Sequence, residues 1–197
     1  MFDRFIVETR HGESLLFVYN PGGFMTKFKN TYRIESTRLK DWDYSTPWWY
    51  YVTINTKNHH DYFGEIIDGK LILNPLGKIA DLFWNEIPNH YKNAELDYYV
   101  IMANHIHGII IINYTAVTRH ASSPQKNLTL SDIIGSFKSA VTKRIHETGY
   151  QNFSWQPRFY DRIIRNGKEL YNVRNYIEQN PIKWELKRKQ PENIFNL

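Results

Sequence analysis

The chain has 197 residues, of which 42% are hydrophobic and 16% aromatic, a composition typical of one folded domain with a short extension. It contains no cysteine, which excludes disulfides and thiolate metal sites, and it lacks a membrane-length apolar run and a signal-peptide core, so a cytoplasmic location is expected. Residues 138–189 carry 12 lysines and arginines against five acidic residues, which favours a polyanionic partner, with a solvated basic face as the alternative.

Strand patterns dominate the first part of the chain. Residues 1–31 show no pattern with a chemical role, and we interpret them as an N-terminal extension. Residues 48–57 are rich in aromatic and β-branched side chains, which predicts the first strand of a sheet. Residues 62–67 and 70–73 flank Asp68-Gly69, and this dipeptide is the strongest short signal for a hairpin turn.

The middle of the chain is predicted to contain two helices with strands between them. Residues 74–91 begin with Asn-Pro and have apolar residues at the spacing of a core-facing helix, and residues 94–102 are predicted to form the next strand. Residues 114–127 are predicted to be a loop. Thr129 and Asp132 then have the spacing of a capping box, which predicts the start of a second long helix.

The C-terminal part is predicted to add one extended segment and one helix. Residues 155–165 have an extended pattern, and residues 168–180 have apolar residues at helical spacing. Pro181 is predicted to end that helix, because proline disfavours the helical conformation of the residue before it. The last residues, 185–197, are interpreted as a tail.

Two histidines lie inside an apolar, β-branched run at residues 99–113. Ala103-Asn104 is predicted to connect the strand at 94–102 to a buried strand that carries the histidines. His105 and His107 flank Ile106, so their side chains face the same side of the strand. Two imidazoles one pleat apart can hold two cis positions of a divalent ion. Spacing alone favours ordinary hydrogen-bonded histidines, but burying both without partners would be costly, which strengthens the metal hypothesis. Gly108 indicates a close approach by backbone or ligand.

This strand resembles a known motif. Its segment Asn104-His105-Ile106-His107-Gly108, preceded by Tyr99-Val100-Ile101-Met102, resembles the HUH (His-hydrophobic-His) motif of single-tyrosine transposases, in their insertion-sequence and REP-associated branches. Four further segments resemble successive blocks of that family in the same order: residues 32–44, 51–57, 155–165 and 176–181. The ordered set is far more specific than the histidine pair alone. Ala103 stands where many relatives have proline, a change that removes no functional group.

The resemblance implies a fold and a division of the chain. The expected fold class is α+β, a ferredoxin-like (RRM-like) palm in which an antiparallel sheet has helices packed on one face and the histidine strand at its centre. The expected parts are an N-terminal extension at residues 1–31, a transposase-like domain at 32–184 and a C-terminal tail at 185–197. The pattern of elements alone leaves several α+β folds open.

The third helix carries the residues that the resemblance makes catalytic. Tyr176 and Asn180 are four residues apart, so they lie on one face of that helix. In the family a tyrosine attacks the DNA, and a Gln or Asn four residues later completes the metal site. The resemblance thus implies Tyr176 as nucleophile and Asn180 as the third ligand, beside His105 and His107, of Mg²⁺ or Mn²⁺. From the residues alone, a core tyrosine and a helix terminator explain these two positions, and Tyr160 and Tyr171 compete as nucleophiles.

The implied activity is metal-dependent cleavage and strand transfer of single-stranded DNA with a hairpin, through a 5′-phosphotyrosine intermediate. Arg158, Arg162 and Arg165 are candidates for DNA binding, with ordinary surface arginines as the alternative. The rival function is that of a domesticated module that binds DNA or RNA hairpins without cutting them. A homodimer is compatible with the family, and the sequence leaves open whether Tyr176 serves its own chain or a second copy.

Overall fold

The computed structural model describes residues 39, 42–114 and 128–189, together with four two-residue strands near the N-terminus. The chain divides into two compact units, Met1–Thr37 and Arg38–Leu197. In the first unit two antiparallel strand pairs are described: β1 (Val7–Glu8) with β2 (Ser14–Leu15), and β3 (Lys27–Phe28) with β4 (Thr31–Tyr32). The predicted loop at 114–127 lies, from residue 115 onward, outside the described residues.

The second unit contains the predicted sheet and helices. Its described elements follow the order β5 (Trp48–Asn55), β6 (Gly64–Ile67), β7 (Lys70–Leu73), α1 (Pro75–Asn85), α2 (Ile87–His90), β8 (Ala94–Ile101), β9 (His105–Ile112), α3 (Leu130–Glu147), β10 (Tyr160–Ile163) and α4 (Gly167–Lys189). The spatial order β10-β5-β9-β8 forms one antiparallel sheet, and β6 with β7 forms a separate hairpin. The predicted fold class is therefore confirmed. Within the described ranges, no helix has both the length and the apolar character to cross a membrane.

The two faces of the sheet are covered by different helices. On one face Ile106 and Ile110 of β9 are fully buried in a core that includes Trp84 of α1 and Phe137 of α3, whose rings meet edge to face at 5.3 Å. Burial of such a side chain stabilises the fold by about 1.5–3 kcal/mol. On the other face a smaller cluster joins β9 to Ile177 of α4. The sheet is thus covered on both sides, with α1 and α3 on one face and α4 on the other, whereas helices were expected on one face alone.

Gly108 allows the core to pack closely against β9. A Cβ atom added at this position would lie 2.3 Å from Cζ2 of Trp84, far inside van der Waals contact. The close approach indicated by the sequence is therefore made by the indole ring of α1, on the face opposite the neighbouring histidines. Gly108 serves core packing and does not make room for a ligand.

The predicted first helix is divided, whereas the second begins as predicted. The stretch 74–91 forms α1 and α2 rather than one helix, because Pro88 in the first turn of α2 has no N–H to donate to the preceding turn. At the start of α3, Thr129 Oγ1 accepts a hydrogen bond from the Asp132 backbone N–H, and the Asp132 carboxylate accepts one from the Thr129 N–H. This is the predicted capping box.

The prediction that Pro181 ends the third helix is wrong. Helix α4 continues through the proline to Lys189, and so it crosses residue 184, where the transposase-like segment was expected to end. Proline in a helix interior costs about 3 kcal/mol because it removes a hydrogen bond and crowds the preceding turn. Contacts beyond it compensate, since Trp184 packs on β9 and the Glu185 carboxylate accepts backbone hydrogen bonds from the β6–β7 turn.

Candidate active site

The two histidines of β9 point to the face that α4 covers. His105 lies opposite Asn55 and His107 opposite Thr53 on β5, and the two imidazole side chains are 7% and 5% exposed. Their Nε2 atoms are 3.0 Å apart. Two ligands at right angles on an octahedral ion, with bonds of about 2.1 Å, are also separated by about 3.0 Å. The separation therefore fits two cis positions on one divalent ion.

An amide side chain orients His105. The Nδ1 atom of His105 lies 2.7 Å from Oδ1 of Asn104. The amide nitrogen of Asn104 donates to the His59 carbonyl oxygen at 3.0 Å and to the Asp61 carboxylate at 2.9 Å, which fixes the orientation of the amide. We infer that Nδ1 of His105 carries the proton and that Nε2 presents a lone pair towards His107. Such outer partners typically set the tautomer of a metal-binding histidine.

Two hydroxyl groups contact the outer nitrogen of His107. The Tyr51 hydroxyl lies 2.8 Å and the Thr53 hydroxyl 2.9 Å from Nδ1, and the Tyr51 ring stacks on the imidazole at a centroid distance of 5.8 Å. Neither residue was predicted to belong to the site. Their alternation along the first strand places them on one face, but only the pairing of β5 with β9 brings that face against His107.

Burial keeps both histidines neutral. It lowers the pKa of His105 to about 3, with a smaller contribution from the charge of His59. It also lowers the pKa of His107 well below its ordinary value, and the neighbouring His105 acts in the same direction. A neutral imidazole keeps one ring nitrogen with a free lone pair, which is the form that binds metal ions.

Helix α4 presents a row of three side chains to the histidine pair. Tyr176, Asn180 and Trp184 follow one another at four-residue intervals, on one face of the helix. The Tyr176 ring lies 5.2 Å from the His107 ring, and the Trp184 ring lies 5.2 Å from the His105 ring. The buried Asn180 side chain, 7% exposed, comes between them along the helix. The structure therefore brings Tyr176 together with the histidines of the same chain and places Asn180 on the same face of the helix, between two residues that contact them.

The hydroxyl of Tyr176 has two polar neighbours. Burial raises the pKa of Tyr176, while hydrogen bonds with the Asn180 amide and the Tyr51 hydroxyl lower it. The group is thus held as a phenol at neutral pH but already has hydrogen-bonding partners that favour a negatively charged oxygen.

Trp184 was missed by sequence reasoning, and the four-residue spacing after Asn180 is the signal that could have found it. Its indole Nε1 is buried and has no hydrogen-bond partner in the part of the chain that the structure describes. An unpaired buried donor costs about 1–3 kcal/mol.

The competing candidates lie on β10, near the start of α4 and on α3. The Tyr160 ring meets the Tyr51 ring edge to face at 6.3 Å, on the side of β5 away from β9. Tyr171 is 65% exposed on α4. His146, a possible further ligand by residue type, is on α3, and its Nε2 hydrogen-bonds to the Phe153 carbonyl oxygen at 2.9 Å.

The three arginines predicted to bind DNA lie along and beside β10. Arg162 is paired with Tyr51 in the β10–β5 ladder, and its guanidinium donates to the Glu169 carboxylate at 2.6 Å. Arg158 and Arg165 are exposed, one before and one after the strand. Arg162 is thus already engaged in an ion pair, whereas Arg158 and Arg165 present their side chains to solvent.

The residues that could hold a metal are the histidine pair and Asn180. Across the described ranges, no group of three or more His, Cys, Asp or Glu side chains is placed to hold a metal ion. An ion at the histidine pair would therefore take its further oxygen ligands from the Asn180 amide, from substrate or from water. Two imidazoles and an amide oxygen are compatible with a divalent first-row ion.

The depressed histidine pKa values predict acid sensitivity. Because the pKa of His105 falls from 6.5 to about 3 on folding, the unfolded chain binds more protons than the folded chain in that pH window. The free energy of unfolding in EDTA should therefore fall as the pH drops from about 6.5 towards 3, and a His105→Gln variant should lose less stability than the native chain. Urea unfolding at about pH 7 and about pH 4.5 measures the difference. His146→Gln is the control and should lose as much stability as the native chain. If His105→Gln and His146→Gln lose the same free energy of unfolding between the two pH values, the prediction is contradicted.

Comparisons with known proteins agree with this architecture. No family model matches the chain. An uncharacterized protein of Haemophilus influenzae is 36% identical over 160 residues, which cover 76% of this chain and 89% of that protein. The solved structure of a REP-associated tyrosine transposase bound to a REP hairpin superposes with a TM-score of 0.54 at 20% identity, over 77% of this chain and 74% of the transposase. The chain therefore belongs to the family of the Haemophilus influenzae protein, and its fold is that of the REP-associated tyrosine transposase.

Proposed function

We propose that this chain is a metal-dependent transposase that cleaves single-stranded DNA and transfers the strand through a 5′-phosphotyrosine intermediate. One observation carries the proposal: α4 lays Tyr176 against His107 and Trp184 against His105, with the buried Asn180 between them along the helix, and the Nε2 atoms of the two neutral histidines are 3.0 Å apart. A module that only binds DNA has no need of a phenol beside a pair of metal-binding nitrogens. The fold shared with a transposase bound to a REP hairpin supports a hairpin-bearing strand as substrate.

Each residue of the site has a separate task in this reaction. His105, His107 and Asn180 would hold Mg²⁺ or Mn²⁺, which when bound polarises a non-bridging oxygen of the scissile phosphate. The Tyr176 oxygen attacks the phosphorus and releases its proton to solvent, while the bond from phosphorus to the 3′ oxygen breaks and that oxygen takes up a proton from solvent. The products are a 5′-phosphotyrosyl link and a free 3′-OH, so that attack by a 3′-OH in the reverse direction rejoins strands.

The protein scaffold positions the tyrosine for this attack. The Tyr176 hydroxyl interacts with the Asn180 amide and the Tyr51 hydroxyl, and its ring meets the stacked His107 and Tyr51 rings edge to face, at centroid distances of 5.2 and 6.3 Å. Tyr176 therefore has few accessible orientations before DNA binds. Holding a nucleophile in the reacting geometry removes part of the entropic barrier to attack.

A covalent-capture assay tests the proposal. The chain is incubated with single-stranded DNA from the flanks of its own gene, including any hairpin, in Mn²⁺ or Mg²⁺, and the products are separated on a denaturing gel. The expected result is a protein–DNA adduct that EDTA prevents. Tight hairpin binding without adduct in either ion would favour the non-cutting binding module instead.

The salt dependence of DNA binding tests the proposed role of the arginines. Each phosphate contact contributes about −0.7 to the log–log slope of affinity against salt for single strands. Replacing Arg158, Arg162 and Arg165 by alanine should flatten that slope, with Arg162 contributing least because it is paired with Glu169. Fluorescence anisotropy with a labelled hairpin measures the slope, and Lys78→Ala on α1 is the control. An unchanged slope in the triple variant would assign the phosphate contacts to other residues.

A further inference from the structure

A cleft of about 820 Å³ lies between α3 and the segment 151–155 that follows it. Helix α3 turns its apolar side chains to the core, and the cleft is on another side of the helix, where Lys138, Ser139, Lys143 and His146 line it. Lys138 and His146 are eight residues apart, so the cleft extends along about 12 Å of helix. None of the residues proposed for the active site lines it.

The cleft is basic. Residues 138–158 contain four lysines and arginines, Lys138, Lys143, Arg144 and Arg158, against one acidic residue, Glu147. The Glu147 carboxylate is paired with Arg144 at 3.2 Å. Lys143 is exposed, and its ammonium has no partner among the residues that the structure describes. The uncompensated positive charge favours a polyanionic ligand.

Lys138 ties the cleft to a turn at the end of the sheet. Its ammonium donates to the carbonyl oxygens of Gln156 at 2.7 Å and Arg158 at 2.9 Å. An ammonium has three N–H groups, so one remains for an acceptor in the cleft. Arg158 has a backbone φ of 66°, in the left-handed region that residues other than glycine rarely adopt. Lys138 therefore stabilises the unusual turn that carries Arg158.

The same turn lies beside the candidate active site. The Gln156 N–H donates to the Asn55 carbonyl oxygen at 2.9 Å, and Asn55 is paired with His105 between β5 and β9. Neighbouring strands are about 4.8 Å apart, so the turn is roughly 10 Å from the histidine strand. A DNA strand that leaves the site over this turn passes the edge of the sheet and reaches the cleft on α3.

The side chains in the cleft suit a paired DNA backbone better than unpaired bases. Sites for unpaired strands use exposed aromatic rings on which the bases stack. Trp155, which lines the cleft, is only 9% exposed, and its indole N–H donates to the Lys138 carbonyl oxygen at 3.1 Å. The ammonium of Lys143 and the hydroxyl of Ser139 are groups that contact phosphate oxygens. A length of about 12 Å corresponds to roughly three base pairs at about 3.4 Å each.

We propose that this cleft binds the sugar–phosphate backbone of a DNA hairpin stem, with Lys138, Ser139 and Lys143 in contact with phosphates. The unpaired strand continues from the stem over Arg158 to Tyr176. This placement rests on the proposed function, and it assigns the paired and unpaired parts of the substrate to opposite faces of the sheet.

Site-directed crosslinking tests where the stem lies. The chain contains no cysteine, so Ser139→Cys introduces a unique thiol for a photo-crosslinker. The labelled full chain is irradiated in EDTA with a DNA hairpin that has unpaired flanks, and the crosslinked nucleotides are mapped. Crosslinks to stem nucleotides are expected, with far fewer from Lys78→Cys on α1. Crosslinks confined to the unpaired flanks, or equal crosslinking from the two positions, would overturn the proposal.

Affinity measurements separate paired from unpaired DNA. The variant Ser139→Ala/Lys143→Ala should weaken hairpin binding by about tenfold and reduce the log–log salt slope by about 0.9 for the lost lysine contact. Its affinity for an unpaired strand of the same length should change by less than about threefold, because the cleft offers unpaired bases no stacking surface. Fluorescence anisotropy in EDTA measures both affinities, with Lys78→Ala as the matched control. An equal loss on the two DNAs, or no loss on the hairpin, would contradict a stem site.

The covalent-capture assay distinguishes failure of this placement from failure of the proposed function. A chain that crosslinks to the stem through position 139 but never forms an adduct has the stem site without the reaction. A chain that forms an adduct, but whose hairpin affinity is the same in the double variant, has the reaction without the stem site.

Discussion

Alanine at both His105 and His107 should weaken divalent-metal binding by at least about 100-fold, because it removes both imidazole nitrogens from the site and leaves one amide oxygen. Isothermal titration calorimetry with Mn²⁺ should find one site per chain in the native protein and none in the double variant. Circular dichroism should show that the variant remains folded, since the core of Ile106, Ile110 and Trp84 lies on the opposite face of the sheet.

A histidine outside the site is the control for this measurement. His146 is on α3 and hydrogen-bonds to a backbone carbonyl oxygen, so His146→Ala should bind Mn²⁺ as the native chain does. Asn180→Ala should show an intermediate loss, because it removes one of three proposed ligands. Unchanged Mn²⁺ binding in the double histidine variant would move the metal to another part of the chain.

Removal of the Tyr176 oxygen should eliminate covalent capture of DNA. Tyr176→Phe keeps the ring that packs against His107 and Tyr51, so the fold, Mn²⁺ affinity and hairpin affinity should change little. Adduct formation should fall by at least about 10³-fold, as expected when a covalent nucleophile is removed. Single-turnover adduct yield on a denaturing gel measures the loss, and anisotropy with the same hairpin measures affinity.

Two other tyrosines provide matched controls. Tyr160 lies on β10 beside Tyr51, and Tyr171 is exposed on α4, so Tyr160→Phe and Tyr171→Phe should both retain adduct formation. If Tyr176→Phe still forms adduct while Tyr160→Phe does not, the nucleophile is Tyr160. The metal-dependent reaction class would survive that result, but the role given to α4 would not.

Strong local patterns made much of the fold predictable. The β-branched run around the histidines could only be a buried strand, and the two-residue period of a strand places His105 and His107 on one face. The Thr129 capping box and the Asp68-Gly69 turn rest on short-range hydrogen bonding and backbone preference, and both occur where the sequence predicted them. These features depend on neighbours in sequence and not on the tertiary structure.

The end of α4 could not be predicted because distant contacts decide it. The local preference of Pro181 is to stop a helix, and nothing near it in sequence opposes that preference. The opposing contacts come from β9, on which Trp184 packs, and from the β6–β7 turn, whose backbone N–H groups bind Glu185. Because Trp184 lies beyond the proline, its place beside His105 was missed for the same reason.

The hydroxyl partners of His107 were missed because sheet register is a tertiary property. Alternation along the first strand places Tyr51 and Thr53 on one face, but it does not say which residue of another strand lies opposite. The observed register pairs Thr53 with His107, and a shift of one residue would have turned both hydroxyls to the other face of the sheet. The sequence predicted the metal ligands and the nucleophile. The hydroxyl groups that contact the outer nitrogen of His107 could be identified only from the structure.

The most direct test of the proposed reaction is to identify the residue that carries the DNA. The native chain is incubated with its hairpin strand and Mn²⁺, the adduct is trapped by denaturation and digested with nuclease and protease, and the peptides are sequenced by tandem mass spectrometry. A nucleotide attached through its 5′-phosphate to the oxygen of Tyr176 is the expected result. A nucleotide on Tyr160, Tyr171 or any other residue would contradict the account, as would complete absence of a nucleotide-bearing peptide in both Mn²⁺ and Mg²⁺.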